Sequence, residues 1–410
     1  MIVLPTHAPI DGFDVVDDVL QVGGIPLPRL VARAGGTPFY AYDRRLLTAR
    51  VGLLRRHLPP GINVHYAMKA NPMPALVGHM ASLVDGIDVA SGGELRVALD
   101  SGMSAREISF AGPGKSQAEL RQAVASGVLL NVESSTELQL LRGIGHELGL
   151  TVRVAIRVNP DFELKSSGMR IGGGAKPFGI DAAAVPAILA EVRGPYLAFE
   201  GFHIYCGSQN LRAELICEVQ QKSYQLALAL AVGAPVPPRV LNLGGGFGIP
   251  YFPGEKPLDV ALIGANLADL ARRAASDLPG VKFTIELGRY LVGEAGVYVC
   301  RVVDRKTSRG QVFLVTDGGL HHHLAASGNF GQVLRKNYPV VIGNRVVGAC
   351  RETASVVGPL CTPLDLLADR MELAEARPGD LVVVFQSGAY GLSASPVGFL
   401  GHPAPGELLV

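Results

Sequence analysis

The stretch VHYAMKANP, residues 64–72, decides the fold prediction because a nearly continuous apolar strand ends there in a lysine. Side chains alternate along a strand, so His65, Ala67 and Lys69 are expected on one face. A lysine is costly to bury and therefore needs a partner or a role at such a position. In barrels of alternating strands and helices the functional groups lie at the C-terminal ends of the strands, and Lys69 stands at such an end.

Eight apolar runs of this kind recur along the chain, and segments with helical apolar spacing lie between them. The runs cover residues 62–70, 86–91, 107–112, 129–134, 151–159, 198–205, 240–247 and 282–288. Alternating strands and helices predict a parallel sheet, and eight repeats predict its closure into a (β/α)8 TIM barrel over residues 46–293. The alternative is an open doubly wound sheet, but no dinucleotide fingerprint opens the first unit. Ser134 and Glu137 form a candidate capping box at one helix start.

The sequence changes character after residue 295. Runs such as GVYVCRVVDRK and DLVVVFQSGAYG read as strands, with no convincing helices between them. The N-terminal segment has similar runs. We therefore predict a separate all-β domain built from both ends of the chain, residues 1–45 and 294–410.

Composition excludes several classes of function. Lys plus Arg number 37 and Asp plus Glu 36, so no charge imbalance indicates binding to nucleic acid or to an anionic membrane. The five cysteines include no CxxC pair, which argues against a disulfide framework or structural zinc. The N-terminus has no basic segment of a signal peptide, and no apolar run is long enough to cross a membrane. We expect a cytoplasmic protein without a transmembrane helix.

Three features could carry chemistry at the C-terminal ends of the strands. A desolvated Lys69 could act as an amine nucleophile and form a Schiff base, although on position alone a lysine at the rim, or one paired with a carboxylate such as Asp88, is the more common case. Glycines 244–246 after the seventh run, and Gly288 with Arg289 after the eighth, predict a phosphate site. Glu286 is expected to point into the barrel, where it needs a cationic partner such as Arg157.

These features together predict one cofactor, pyridoxal 5'-phosphate. The lysine would bind its aldehyde, the glycine loops its phosphate, and the acid would keep its pyridine nitrogen protonated. His203, at the end of the sixth run, is either a core histidine or a flat ring stacked on a planar ligand.

The motifs YAMKAN, DVASGGEL, HIYCGSQN, NLGGGFG, ELGRYL, GPLCTPLD and SGAYGLSASP occur in this order between about Thr37 and Pro405. In these motifs the chain resembles the fold-type III pyridoxal-phosphate decarboxylases, which include the ornithine and diaminopimelate decarboxylases. The resemblance implies a homodimer with shared active sites, in which Cys361 from one subunit serves the other and acts as a proton donor. It also implies a role for each matching residue. Lys69 would be the Schiff-base lysine, His203 would stack on the pyridine ring, Glu286 would contact its nitrogen, Asp88 and Arg157 would line the site, and Ser208, Gly245, Gly246, Gly288, Arg289 and Tyr390 would surround the phosphate.

Two positions depart from the pattern of that family. Its histidine motif reads His-(Val/Ile)-Gly-Ser, so Tyr205 and Cys206 look inserted here. Thr362 stands where ornithine decarboxylases have Asp and diaminopimelate decarboxylases have Glu. These acids bind the distal amine of the substrate, which a neutral hydroxyl cannot pair. Arg289 and Thr362 are the predicted substrate-binding residues.

The stretch DGGLHHHLAAS, together with the C-terminal motifs, is similar to glutamyl-carrier-protein decarboxylases and to decarboxylases found with exosortase systems. The resemblance implies decarboxylation of an amino acid that is either free or tethered to a carrier protein. We expect no metal at His321–His323, because adjacent residues of a strand face opposite ways.

Rival functions are also open. A PLP racemase is disfavoured by Glu286, since the related racemases have an arginine against the ring nitrogen. A PLP-binding homeostasis protein would lack the β-domain, and a metal-dependent hydrolase would need the histidine run.

Overall fold

The computed structural model describes residues 7–162, 169–170, 174–330 and 336–410. Internal contacts divide the chain into two units. One unit comprises residues 51–248 and 258–288, and the other comprises residues 1–50, 249–257 and 289–410. Residues 249–257 therefore group with the second unit, although the sequence places them within 46–293. Tyr251 accounts for this, because its ring packs against Tyr338 at 4.7 Å between ring centroids.

The first unit contains a closed barrel of eight parallel strands, as predicted. Hydrogen bonds run from β1 through β8 in the order of the chain, and β8 pairs back to β1. The open doubly wound sheet is thereby excluded. The strands are β1 Ile62–Ala67, β2 Gly86–Val89, β3 Ile108–Phe110, β4 Leu129–Val132, β5 Val152–Asn159, β6 Leu197–Ile204, β7 Val240–Gly245 and β8 Lys282–Leu287.

Helices follow most of these strands within the same unit. They are α1 Pro74–Ala81, α2 Gly92–Asp100, α3 Gln117–Ser126, α4 Ser135–Leu148, α5 Val185–Glu191, α6 Ala213–Ala231 and α7 Val260–Asp277. Serine side chains cap the starts of α2, α3 and α4. At α4 only half of the predicted capping box forms, because Ser134 accepts from the Glu137 amide while the Glu137 carboxylate accepts from Lys115 and from the Glu133 amide. Two short strands, Met169–Arg170 and Gly207–Ser208, pair with each other, and Ile180–Asp181 extends β5.

The second unit is mainly β, as predicted, and uses both ends of the chain. Eight strands form its larger sheet: Phe39–Tyr42, Gly296–Ser308, Gln311–Thr316, Val340–Ile342, Arg351–Val357, Leu366–Ala374, Leu381–Val384 and Gly406–Leu409. A small sheet of Val15–Val16, Val19–Val22 and Ile25–Pro26 precedes the helix Leu27–Ala34. The helix Arg44–His57 begins in this unit and ends in the barrel unit, and a short helix, Arg289–Val292, follows β8.

The core of the second unit is aliphatic and aromatic. The helix Leu27–Ala34 buries Leu27 and Leu30 against Phe39, Val297 and Val383 of the large sheet. Within the described part of the chain, no helix is long and apolar enough to cross a membrane.

Candidate active site

Strand alternation predicts Lys69 on β1, but Lys69 lies in the turn that follows this strand. The strand ends at Ala67, and residues Met68–Ala70 form one turn of 3₁₀ helix. The Tyr66 hydroxyl donates to the carbonyl of Asn71 at 2.8 Å, which ties the turn back to the strand. The Lys69 side chain is exposed at the C-terminal end of the barrel strand. Within the described residues it forms no ion pair with Asp88.

Glu286 is the buried acid of the barrel interior. The Asn242 amide nitrogen donates to its Oε2 at 3.1 Å, and Nε2 of His203 lies 3.0 Å from the same oxygen. Burial alone would raise the pKa of Glu286, but the His203 ring and the charges of Lys69 and Arg157 hold it below its usual range. The carboxylate is therefore charged at neutral pH.

His203 is almost fully buried against Glu286. Its ring N–H is not aligned for a hydrogen bond to the acid. Neither ring nitrogen has a hydrogen-bond partner among the described residues. Its Nε2 therefore lies close to the Glu286 carboxylate without an aligned hydrogen bond.

Tyr205 presents an aromatic ring to the Lys69 amine. The Nζ atom lies 5.6 Å from the centroid of that ring. Gly244 lies beside it, since a Cβ atom at Gly244 would come within 2.7 Å of Tyr205 Cδ2. No role is predicted for Tyr205 from the sequence, because there it looks like part of an insertion into the histidine motif.

Asp88 lies at the end of β2, in register with Ala67 of β1. Its Oδ1 accepts from Ser109 Oγ and lies 3.1 Å from Nδ1 of His65. Its Oδ2 is buried, with no hydrogen-bond partner among the described residues. A buried oxygen without a partner marks a place where a ligand group could bind.

Arg157 pairs with Glu133 rather than with Glu286, and this prediction is corrected. Its Nη1 lies 2.7 Å from Glu133 Oε1. Glu133 also accepts from the amides of Gly112 and Gly179. Burial alone would raise the pKa of Glu133, but Arg157 lowers it. The signal that could have found Glu133 is its place directly after β4, beside the β5 residue Arg157.

The glycine loop after β7 is shaped by close backbone approaches. A Cβ atom at Gly245 would lie 2.0 Å from the carbonyl oxygen of Glu286, and Gly246 has a φ of +79°. A Cβ atom at Gly288 would meet the Ala70 side chain at 2.9 Å, beside the turn that holds Lys69. Nearby in sequence to His203, Ser208 has a buried hydroxyl with no hydrogen-bond partner among the described residues.

In the second unit, Arg289 is held between two tyrosine rings. Its guanidinium carbon lies 4.6 Å from the ring centroid of Tyr390 and 5.3 Å from that of Tyr251, and the Tyr251 hydroxyl accepts from Nη1 at 2.7 Å. Such cation–π contacts fix the plane of the guanidinium. Tyr251 is a further residue that the sequence analysis did not single out. The predicted role of Arg289 and Tyr390 at a phosphate stays a prediction.

Cys361 and Thr362 lie in a loop that Asp365 anchors. The two carboxylate oxygens of Asp365 accept from the amides of Leu320 and Leu360 at 2.6 and 2.8 Å. The loop 358–365 is thereby joined to the turn at Gly318–Leu320. Cys361 is exposed, and Thr362 is partly exposed.

The three adjacent histidines do not lie on a strand, so the argument from alternating faces was wrong. They lie in a turn, and His321, His322 and His323 are all buried. The rings of His321 and His322 contact each other at 3.7 Å between centroids. Among the described residues, no group of three or more His, Cys, Asp or Glu side chains is arranged to hold a metal ion.

Comparison with known proteins decides the family. The family model for the pyridoxal-binding domain of pyridoxal-dependent decarboxylases matches residues 44–293. The chain belongs to this family of pyridoxal-dependent decarboxylases. It is therefore an enzyme of the carboxy-lyase class, with pyridoxal 5'-phosphate as its cofactor.

Relatives in this decarboxylase family cover most of the chain. An L-glutamyl-[BtrI acyl-carrier protein] decarboxylase of Niallia circulans is 41% identical over 91% of this chain and 88% of its own length. A diaminopimelate decarboxylase of Aquifex aeolicus is 32% identical over 96% and 91%. Among solved structures, the diaminopimelate decarboxylase of M. jannaschii has a TM-score of 0.88 at 25% identity, over 97% of this chain and 92% of that one.

The residues of this decarboxylase's barrel fit the cofactor. Lys69 offers an amine with no ion pair among the described residues, and Glu286 offers a buried, charged carboxylate for a pyridine nitrogen. The unpartnered Ser208 hydroxyl offers a donor for an anion. When bound, the cofactor supplies the electron sink that accepts the electron pair left by departing CO₂.

Proposed function

We propose that this decarboxylase acts on an amino acid whose distal end carries no free amine, in particular a glutamyl group tethered to a carrier protein. The observation that carries the proposal is the neutral side chain of Thr362, at the position where ornithine and diaminopimelate decarboxylases have an acid. An ammonium buried beside a neutral hydroxyl would lack its counter-charge, so diamino substrates should be penalised by several kcal/mol. The name of the N. circulans relative, which specifies a carrier-bound glutamyl substrate, supports the same choice.

The chemical roles in the barrel follow from the contacts described above. Lys69 is proposed to bind the cofactor aldehyde through its amine. Glu286 keeps the pyridine nitrogen protonated, and Asn242 and His203 hold the acid in place and charged. A charged acid at this nitrogen favours decarboxylation over racemisation. Asp88 and the Arg157–Glu133 pair are proposed to line the site near the lysine.

Tyr205, rather than His203, is proposed to face the cofactor ring. The Tyr205 ring lies beside the Lys69 amine and the glycine loop, where the flat face of a cofactor joined to Lys69 would need support. His203 is committed to Glu286 and serves as a positioning residue.

We also propose a cytoplasmic homodimer with shared active sites. Cys361 of the partner subunit would protonate the product carbon, and its exposure on a single chain is compatible with a role toward another copy. The phosphate is proposed to contact Ser208, Gly245, Gly246 and Gly288, with Arg289 and Tyr390 also assigned by the resemblance.

A hybrid dimer tests the shared site. Lys69→Ala and Cys361→Ala homodimers should each lose CO₂ release, while random mixing of the two should restore about a quarter of the wild-type rate, because half of the dimers contain one intact site. Lys222→Ala, which changes an exposed lysine of α6, is the control and should keep full activity. Failure of the mixture to regain activity would contradict the shared site.

The substrate is tested by measuring CO₂ release over a panel of free amino acids, with a glutamyl-carrier protein included. We expect turnover of the carrier-bound substrate and little of lysine-like diamines or diaminopimelate. Efficient turnover of diaminopimelate would overturn the assignment of Thr362 and favour the alternative, a decarboxylase of a free diamino acid like the A. aeolicus relative. The Thr362→Glu variant should shift preference toward a diamino substrate.

A further inference from the structure

A cavity of about 540 Å³ opens at the opposite end of the barrel from Lys69. Its lining comes from the residues that begin the strands, among them Asn63 of β1, Arg153 of β5 and Lys282 of β8. All of its lining residues belong to the barrel unit. The volume falls within the range of about 300–1,000 Å³ that is usual for small-molecule sites.

The cavity has an excess of positive charge. Four cationic side chains line it, from Arg106, Arg153, Arg239 and Lys282, against the two acids Glu107 and Glu200. Arg153 is paired with Glu200 at 3.1 Å. The other three cations form no ion pair with any residue in the described ranges, and only Glu107 remains to balance them.

Two of these cations lie on neighbouring strands. Lys282 is in register with Val240, and its amide donates to the carbonyl of Arg239 at 2.8 Å. Both side chains are exposed at the mouth of the cavity. Exposed cations on neighbouring strands at one mouth attract an anion to that mouth.

The floor of the cavity is polar and buried. Thr284 contributes a hydroxyl and His65 contributes its ring, while the Ser109 hydroxyl already donates to Asp88 Oδ1. Burial alone would lower the pKa of His65, but the Asp88 carboxylate raises it above the ordinary value, which favours the protonated ring. Hydroxyl and imidazolium groups are donors that suit carboxylate or phosphate oxygens.

We propose that this cavity is a binding site for a small multivalent anion, carrying either carboxylate or phosphate groups. The cations at the mouth attract the negatively charged groups of the anion, and the polar side chains of the floor donate hydrogen bonds to its oxygens. Barrel enzymes perform their chemistry at the other end of the strands, so this site binds its ligand without transforming it. It is separate from the cofactor site and from the substrate proposed above.

The test is calorimetric titration of the cofactor-loaded enzyme at fixed ionic strength, with citrate and pyrophosphate as probes and acetate as the monovalent control. We expect saturable binding of at least one probe, and no saturable binding of acetate. Citrate alone, or pyrophosphate alone, would assign the site to carboxylates or to phosphates. The Arg239→Gln and Lys282→Gln double variant should bind that probe more weakly, on the order of tenfold or more.

The matched control is Arg56→Gln, which removes one exposed arginine elsewhere on the barrel unit and should bind as the wild type does. The cofactor absorbance and thermal midpoint of each variant confirm that it is folded and loaded. The proposal is overturned if neither probe binds saturably, if the double variant binds with unchanged affinity, or if Arg56→Gln weakens binding equally.

Discussion

Tyr205 is the site residue at which the expectation from sequence and the structure differ most. By sequence it looks like half of an insertion. In the structure its ring faces the Lys69 amine, while His203 lies against Glu286. We therefore propose that the two aromatic side chains divide the roles that the sequence analysis assigns to His203 alone.

This division of roles predicts a difference in cofactor affinity. Tyr205→Ala should weaken binding of pyridoxal 5'-phosphate on the order of tenfold, because a stacked aromatic ring contributes about 0.5–1.5 kcal/mol beyond the area it buries. Tyr205→Phe keeps the ring and should bind nearly as the wild type does. The measurement is an absorbance titration of the cofactor-free protein. Unchanged affinity in Tyr205→Ala would return the stacking role to His203.

Lys69 and Glu286 can be identified from the sequence because each is a charged residue near the C-terminal end of a largely apolar run that does not explain it. The partner of Arg157 cannot be identified in this way, because that choice depends on strand register. Val132 of β4 is in register with Ile156 of β5, which places Glu133 beside Arg157. Glu286 lies on β8, which is not a neighbour of β5 in the barrel.

At the scale of elements, the loop 358–365 depends on one carboxylate. Asp365 accepts from two backbone amides, and an amide side chain could accept only one of these hydrogen bonds. Burial raises the pKa of Asp365, while these two amides lower it. The Asp365 carboxylate therefore fixes the backbone geometry of the segment that carries Cys361 and Thr362.

Asp365→Asn should lower kcat for the enzyme while its affinity for the cofactor, measured by titration, stays unchanged. It should also destabilise the protein by about 1–3 kcal/mol, because one buried amide loses its acceptor. The readouts are kcat, KM and the free energy of unfolding. Asp304→Asn, an exposed acid of the same unit, is the control. An unchanged kcat in Asp365→Asn would remove Asp365 from the positioning role.

The strands were the most predictable elements. Each of the eight barrel strands lies within or close to an apolar run read from the sequence, since parallel strands buried on both faces need such runs. The turn at Met68–Ala70 was not predicted, because it is fixed by a hydrogen bond from the Tyr66 side chain rather than by local pattern. The turn at His321–His323 is not predictable for a similar reason, since the Pro403 carbonyl contacts the His322 ring and the Ser387 hydroxyl contacts the His323 ring, both from distant segments.

Across the whole molecule, the buried histidines link folding to pH. The amide of Ala326 donates to Nδ1 of His323, and Nε2 of His323 lies 2.9 Å from Ser387 Oγ. The His323 ring is therefore held neutral. Burial lowers the pKa of His323 to about 3 and that of His321 to about 4. The unfolded chain takes up these protons near pH 6.5, whereas the folded chain does not.

The free energy of unfolding should therefore fall as pH decreases below about 6.5, until the folded-state pKa values are reached. One such histidine removes roughly 2 kcal/mol between about pH 7 and about pH 5. His323→Gln should show a shallower dependence by about that amount, since glutamine does not titrate. The measurement is denaturant unfolding at several pH values, and parallel curves for the two proteins would contradict the assignment.

The crowding around Gly245 and Gly288 also limits how this catalyst can be redesigned. Any side chain at Gly245 would collide with the main chain of β8, and one at Gly288 would press on the turn bearing Lys69. In a library randomised at these two codons, most variants would misfold. Diversity is better placed at Thr362, a partly exposed residue where such a collision is not imposed by the backbone.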